Sequence, residues 1–112
     1  MQGRLSPPED GRFQSFPRNS WREEFARARA VGLDYIEWIH DHYDRGANPI
    51  FTPEGLAEFD ALKLEHNIAT PALCGDWFMD FPLIRCTETE RAEREAHLHE
   101  LIPITARIGA QK

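Results

Sequence analysis

Three helix starts are written into this chain as capping chemistry, and a short segment of strand composition stands between each and the next. That alternation constrains the fold more than any other feature. Ser20-Trp21-Arg22-Glu23 places a hydroxyl three residues before a carboxylate, the reciprocal box that satisfies the free amides of a first helical turn. Trp21, Phe25 and Ala28 follow at helical spacing and Gly32 suits a left-handed exit, so a helix is predicted from Trp21 to Val31. Leu33 to Ile39 is aromatic and β-branched and reads as a strand. Thr52-Pro53-Glu54 opens a second helix with a hydroxyl cap, a proline at its first position and an acid at the positive end of the dipole. Its inward face is Leu56, Phe59 and Leu62, and its exit is Asn67. Ile68 to Leu73 reads as a strand despite Pro71. Thr87-Glu88-Thr89-Glu90 is another capping box, and it begins the longest helix, which runs towards Ile108 and stops at Gly109. Pro103 lies inside it and removes a donor, so a kink or break is expected there.

With a short strand at Met1 to Leu5, the order becomes strand, helix, strand, helix, strand, helix, the pattern of parallel βα units. The strand-to-helix links are long, at Ser6 to Asn19, His40 to Phe51 and Cys74 to Cys86, while the returning links are very short. All the long loops therefore share one face, the face beyond the carboxyl ends of the strands where α/β folds bind ligands.

The 112 residues suffice for one small domain. Apolar residues at 41% and aromatics at 11% supply a core and exclude a disordered chain. A net charge of −6 disfavours nucleic acid or an anionic membrane as the main partner, because both are held by Lys and Arg. No apolar run approaches the roughly 18 residues of a membrane span, and no basic-then-apolar leader is present, so a cytoplasmic protein is expected. Cys74 and Cys86 lack the C-x-x-C spacing of a metal knuckle and are expected to be reduced thiols.

Four segments taken together carry a resemblance: Met1-Gln2-Gly3-Arg4-Leu5-Ser6-Pro7-Pro8, Gly32-Leu33-Asp34-Tyr35-Ile36-Glu37-Trp38-Ile39, Asn48-Pro49 ahead of Thr52-Pro53-Glu54-Gly55, and Cys74-Gly75-Asp76-Trp77-Phe78-Met79-Asp80. In this order they resemble the opening of sugar phosphate isomerase/epimerase proteins of the xylose isomerase-like TIM barrel superfamily. The resemblance implies a (β/α)8 barrel of about 250 residues, of which this chain would be the first three βα units of a truncated or split member. It also implies a sugar or sugar-phosphate substrate, and a divalent metal (Mn, Mg, Co or Zn) held at the ends of later strands. Two Glu residues would shuttle a proton next to a carbonyl. Those metal ligands and carboxylates would lie beyond Lys112, so the chain by itself is expected to bind no metal and to show no turnover.

Glu37 follows Ile36 in its strand, so it points away from its apolar neighbours, towards a barrel mouth where it can accept from sugar hydroxyls. The resemblance places a Glu there; pairing with Arg4 across adjacent strands is the plainer role. Arg4 and Gln2 share a strand face, and the Arg4 guanidinium fork suits a sugar oxygen or phosphate. Cys74 closes its strand at the loop face, where resembling epimerases carry a small residue facing the sugar; no histidine is evidently placed to activate it, so it reads as a wall. Asp76 and Trp77, with Phe78 and Met79, form the next loop, whose aromatics suit stacking on a sugar or a place in the core. Trp38 completes the expected substrate-binding set. His40-Asp41-His42 at a strand end is a weaker metal candidate, and His97 and His99, two apart on a helix, face apart and cannot chelate one ion together. The run Glu88 to Glu100 reads as a solvated helix face.

Other readings compete with the epimerase. An endonuclease IV-like barrel is disfavoured by the acidic charge, and a flavodoxin-like module needs roughly five strands where three are found. A non-catalytic half-barrel or small interaction module would complete its sheet with a partner or a second copy, and its open edges would promote self-association.

Overall fold

The computed structural model describes residues 5–12, 14–43 and 45–111. Its elements follow the expected alternation: α1 (Trp21–Ala30), β1 (Tyr35–Ile39), α2 (Pro53–His66), β2 (Ala69–Cys74), α3 (Trp77–Asp80) and α4 (Glu88–Arg107), with short 3-10 turns at Arg45–Ala47 and Pro49–Phe51. β1 and β2 pair in parallel, so the described residues form an α/β fold around a two-stranded sheet. The expected strand at Met1 to Leu5 lies, apart from Leu5, outside the described residues. Among the described residues no helix is long and apolar enough to cross a membrane.

Two of the three caps work as their residues suggest. Thr52 Oγ1 accepts the Gly55 N–H at 3.0 Å, and Asn67 leaves α2 in the left-handed region at φ 51°. Thr87 and Glu90 satisfy each other's backbone amides at the start of α4. Ser20 differs from the expected box, because its hydroxyl is bound to Ser6 Oγ and Glu9 Oε1, each at 3.0 Å, and Glu23 pairs with Arg27. The Ser20 side chain thus anchors the preceding loop instead of capping α1. A second anchor is Glu24, which is 2% exposed and accepts the N–H groups of Leu5 and Ser6 at 2.6 and 2.9 Å.

β1 begins two residues later than the composition suggested. The Leu33 N–H is spent on Ala28 O at 2.9 Å, in the exit from α1 where Gly32 takes φ 79°. Between Tyr35 and Glu37 the register slips, three steps along β2 answering two along β1. Pro71 lies in this stretch without ending the strand, and its carbonyl accepts the Gln111 N–H at 2.8 Å. Nor does Pro103 break α4, which runs on to Arg107. Leu101 and Ile108 are buried on either side of the proline, Ile104 packs beside them, and Thr105 Oγ1 donates to Leu101 O at 2.9 Å, so the flanking turns are pinned.

One face of the sheet is covered by α1 and α2 through aromatic packing. Trp38 sits among Phe16, Trp21, Phe25 and Phe59, with ring centroids 4.6–6.1 Å away and mostly tilted or edge-on. Each fully buried ring removes enough apolar area from water to contribute roughly 1.5–3 kcal/mol. By register, Glu37 pairs with Ala72 and Ile39 with Cys74, so these four share the other face. After α4 the chain turns at Gly109 (φ 87°) and returns to the edge of β2 remote from β1. Ile108 O receives Lys63 Nζ at 2.6 Å and Thr70 Oγ1 at 3.0 Å, which fixes that return.

Candidate functional site

The carboxyl ends of β1 and β2 continue their pairing for one more step: His40 N–H donates to Cys74 O and Trp77 N–H donates to His40 O, each at 2.9 Å. These bonds draw the two long loops together. The second loop is not irregular as expected, because Trp77–Asp80 forms the single turn α3. Its ring system meets α4 at His97, whose ring is tilted against Trp77 at 4.3 Å, and the Phe81 ring is tilted against Trp77 at 4.5 Å.

At the centre His40 Nε2 and His97 Nε2 are 2.8 Å apart. His97 turns its Nδ1 towards Glu100 Oε2 at 3.5 Å, and Glu100 is in turn bound by Arg45. His40 is 1% exposed and packs on Phe51. Burial pushes its pKa down to about 4, with the neighbouring His97 and Arg45 adding to the effect and Glu100 opposing it. His97 is also held below the usual imidazole range, by burial first and then by Arg45, against the pull of Glu100. Both rings are therefore neutral near pH 7.

A second polar group lies beside this one. His42 Nδ1 is 3.0 Å from Asp80 Oδ2, and its ring meets the edge of Phe81. The Asp76 carboxyl is raised above the usual carboxylate range by burial, and then by Asp41 and Asp80. Asp41 is buried and occupied with backbone, accepting Phe16 N–H at 2.7 Å and Tyr43 N–H at 3.2 Å.

The expected site residues are distributed unevenly over this framework. Cys74, Asp76 and Trp77 lie together at the strand ends, all half-buried. Glu37 is half-buried further down β1, on the same face as Cys74, and its carboxylate is engaged by none of the described residues. Trp38 is turned into the aromatic core at 3% exposure, with its indole N–H donated to Asn48 Oδ1 at 3.0 Å, so it offers a ligand no surface. Gln2 and Arg4 lie outside the described residues, and with them the expected Arg4–Glu37 pair. His40 and His42 do not converge on one point, since each has its own partner on a different element. Among the described residues no three His, Cys, Asp or Glu side chains gather as a metal ion would require.

The pairing of His40 with His97 joins positions 57 apart and was not anticipated. A signal for half of it exists: His97 extends the stripe Leu101, Ile104 and Ile108 by one turn, at spacings that place it on the inward side of α4. No family model matches the chain, and no curated protein matches it.

Proposed function

We propose that the chain supplies βα units of a xylose isomerase-like barrel and part of the substrate mouth of a sugar or sugar-phosphate isomerase/epimerase. The observation that carries this reading is the meeting of Cys74, Asp76 and Trp77 at the carboxyl ends of two parallel strands, with Glu37 on the same sheet face as Cys74. In parallel βα architecture that end is where loops bind ligands. The return of Gln111 to the free edge of β2 fits a further parallel strand beside it. Trp77 offers an aromatic face, Asp76 and Glu37 offer acceptors for sugar hydroxyls, and Cys74 forms a small wall.

The test is titration of the chain with aldoses, ketoses and their phosphates, followed by NMR at the Trp77 indole N–H and the Cys74 amide. One class of sugar should shift both signals, and Glu37→Gln should weaken that binding by about 1 kcal/mol or more. No shift with any sugar at millimolar concentration would defeat the reading. Because the proton-transferring carboxylates of the resembling enzymes have no counterpart assigned in this chain, it should bind without epimerising, with or without added Mn, Mg, Co or Zn. The rival reading is a non-catalytic α/β module that completes its two-stranded sheet with a partner. Tight self-association without sugar binding would favour it.

A further inference from the structure

The number of hydrogens that the His40–His97 contact can hold is limited by its length. The two Nε2 atoms are 2.8 Å apart, a gap that accommodates one hydrogen in an N–H···N bond. Two neutral imidazoles carry one N–H each. His97 Nδ1 faces the Glu100 carboxylate, which favours a hydrogen there, so the hydrogen at the contact belongs to His40 Nε2. His40 Nδ1 is then a bare lone pair. It is also the one buried side-chain polar atom among the described residues that has no hydrogen-bond partner.

A first added proton can be accommodated, since three hydrogens still leave only one between the Nε2 atoms. A second proton fills all four ring nitrogens and forces two N–H groups to face each other across a gap that holds one. Among the described residues no further acceptor is bonded to either ring. The 3-10 turn before Asn48 contributes Arg45, a cation; the turn at Pro49–Phe51 contributes the Phe51 ring; α3 contributes Trp77 and Phe78; and α4 contributes Glu100, already engaged by Arg45.

We propose that His40 and His97 form a two-proton latch, which keeps the amino-terminal part of α4, residues 88–98, closed over α3 through the first protonation and releases it on the second. The helix is continuous here but lacks one of its internal bonds. Leu101 and Ile108 are buried on the carboxyl-terminal side, and Pro103 denies the His99 carbonyl its usual helical donor. The latch residue lies just beyond that weakened turn. The depressed titration of both rings agrees with a contact that resists charging. Release would uncover the Trp77 ring, so the latch governs access to the aromatic floor whether or not that floor binds a sugar.

The experiment is imidazole 15N NMR on the full chain from neutral pH downwards, with amide hydrogen exchange recorded on the same samples. His97 should be Nδ1-protonated and His40 Nε2-protonated near neutrality. Protection of residues 88–98 should survive uptake of the first proton, which enters at the bare His40 Nδ1, then fall about tenfold per pH unit with uptake of the second, which enters at His97 Nε2, while β1 and β2 stay protected. In His97→Leu that fall should vanish. Loss of α4 protection with the first proton, the reverse tautomers, or the same fall in His97→Leu would each overturn the latch. Should His97→Leu not fold, the tautomers and the order of events in the unaltered chain decide the matter.

Discussion

α1 and α2 are fixed to the sheet by rings, whereas α4 is fixed by a row of separate polar tethers and a few aliphatic side chains. On the first side Trp21, Phe25, Phe59 and Trp38 interlock with almost no exposure, and the charged groups that meet these rings are two cations at the margin, Arg22 over Trp21 at 4.4 Å and Lys63 over Phe59 at 5.4 Å. On the second, Leu101, Ile104 and Ile108 supply the apolar contact, His97 lies against the Trp77 ring, and further tethers are His97 to His40, Arg94 to Pro82 O, Glu100 to Arg45, Arg107 to Asp60, and Lys63 and Thr70 to Ile108 O. The difference separates two kinds of strength. Ring packing is non-directional and indifferent to pH, while each tether depends on one geometry and several depend on a charge state.

The largest effect is expected where the rings meet. Phe59→Ala should cost about 3–5 kcal/mol in urea unfolding, with the whole fold lost in one transition. A cost below about 1 kcal/mol would mean that the aromatic side is not the stronger one.

Acid should act on the other region. His40 has its folded pKa below the ordinary 6.5, at about 4, so its contribution is complete above pH 6.5 and is lost as the pH falls towards 4. Unfolding free energy should therefore drop by on the order of 2 kcal/mol between those limits on account of this residue, and His40→Phe should flatten that part of the profile. An unchanged slope in the variant would assign the acid sensitivity to carboxylates instead.

Two smaller changes sharpen the contrast within α4. Thr87→Ala removes the hydroxyl half of its capping box and should cost about 1 kcal/mol, seen as faster amide exchange in the first turn of α4 with β1 and β2 unaffected. Arg107→Ala breaks an ion pair whose side chains are 54% and 38% exposed, and should change stability by less than about 0.5 kcal/mol.

The alternation of elements was legible in the sequence because capping and exit chemistry is local: Thr52, Asn67, Thr87 and Gly109 each act within a few residues of where they stand. Ser20 had the same local pattern and a different outcome, because Ser6 and Glu9 compete for its hydroxyl from outside the helix. Strand parity identified the face of Glu37, and the loop lengths pointed to the end where Cys74, Asp76 and Trp77 meet. It could not keep Trp38 out of the substrate set, since a tryptophan at a strand end serves a core or a ligand equally well until its neighbours are known. The histidine pair escaped for a related reason. Nothing near His40 in the chain indicates what α4 brings to it, and the two-residue spacing of His97 and His99 excludes joint chelation without telling which ring points inward.

Pro71 has a consequence for how the molecule behaves in a crowded solution. Along a strand the amide and carbonyl of one residue point the same way, and the Pro71 carbonyl points to the edge remote from β1, where Gln111 meets it. The position lacking an N–H is therefore on that edge as well. An incoming strand from a stray chain finds an acceptor already taken and no donor beside it, so each attempt at edge-to-edge growth forfeits a rung there. The proline withholds one rung from a stray strand while leaving its carbonyl to the chain's own return at Gln111, at no cost to the ladder with β1.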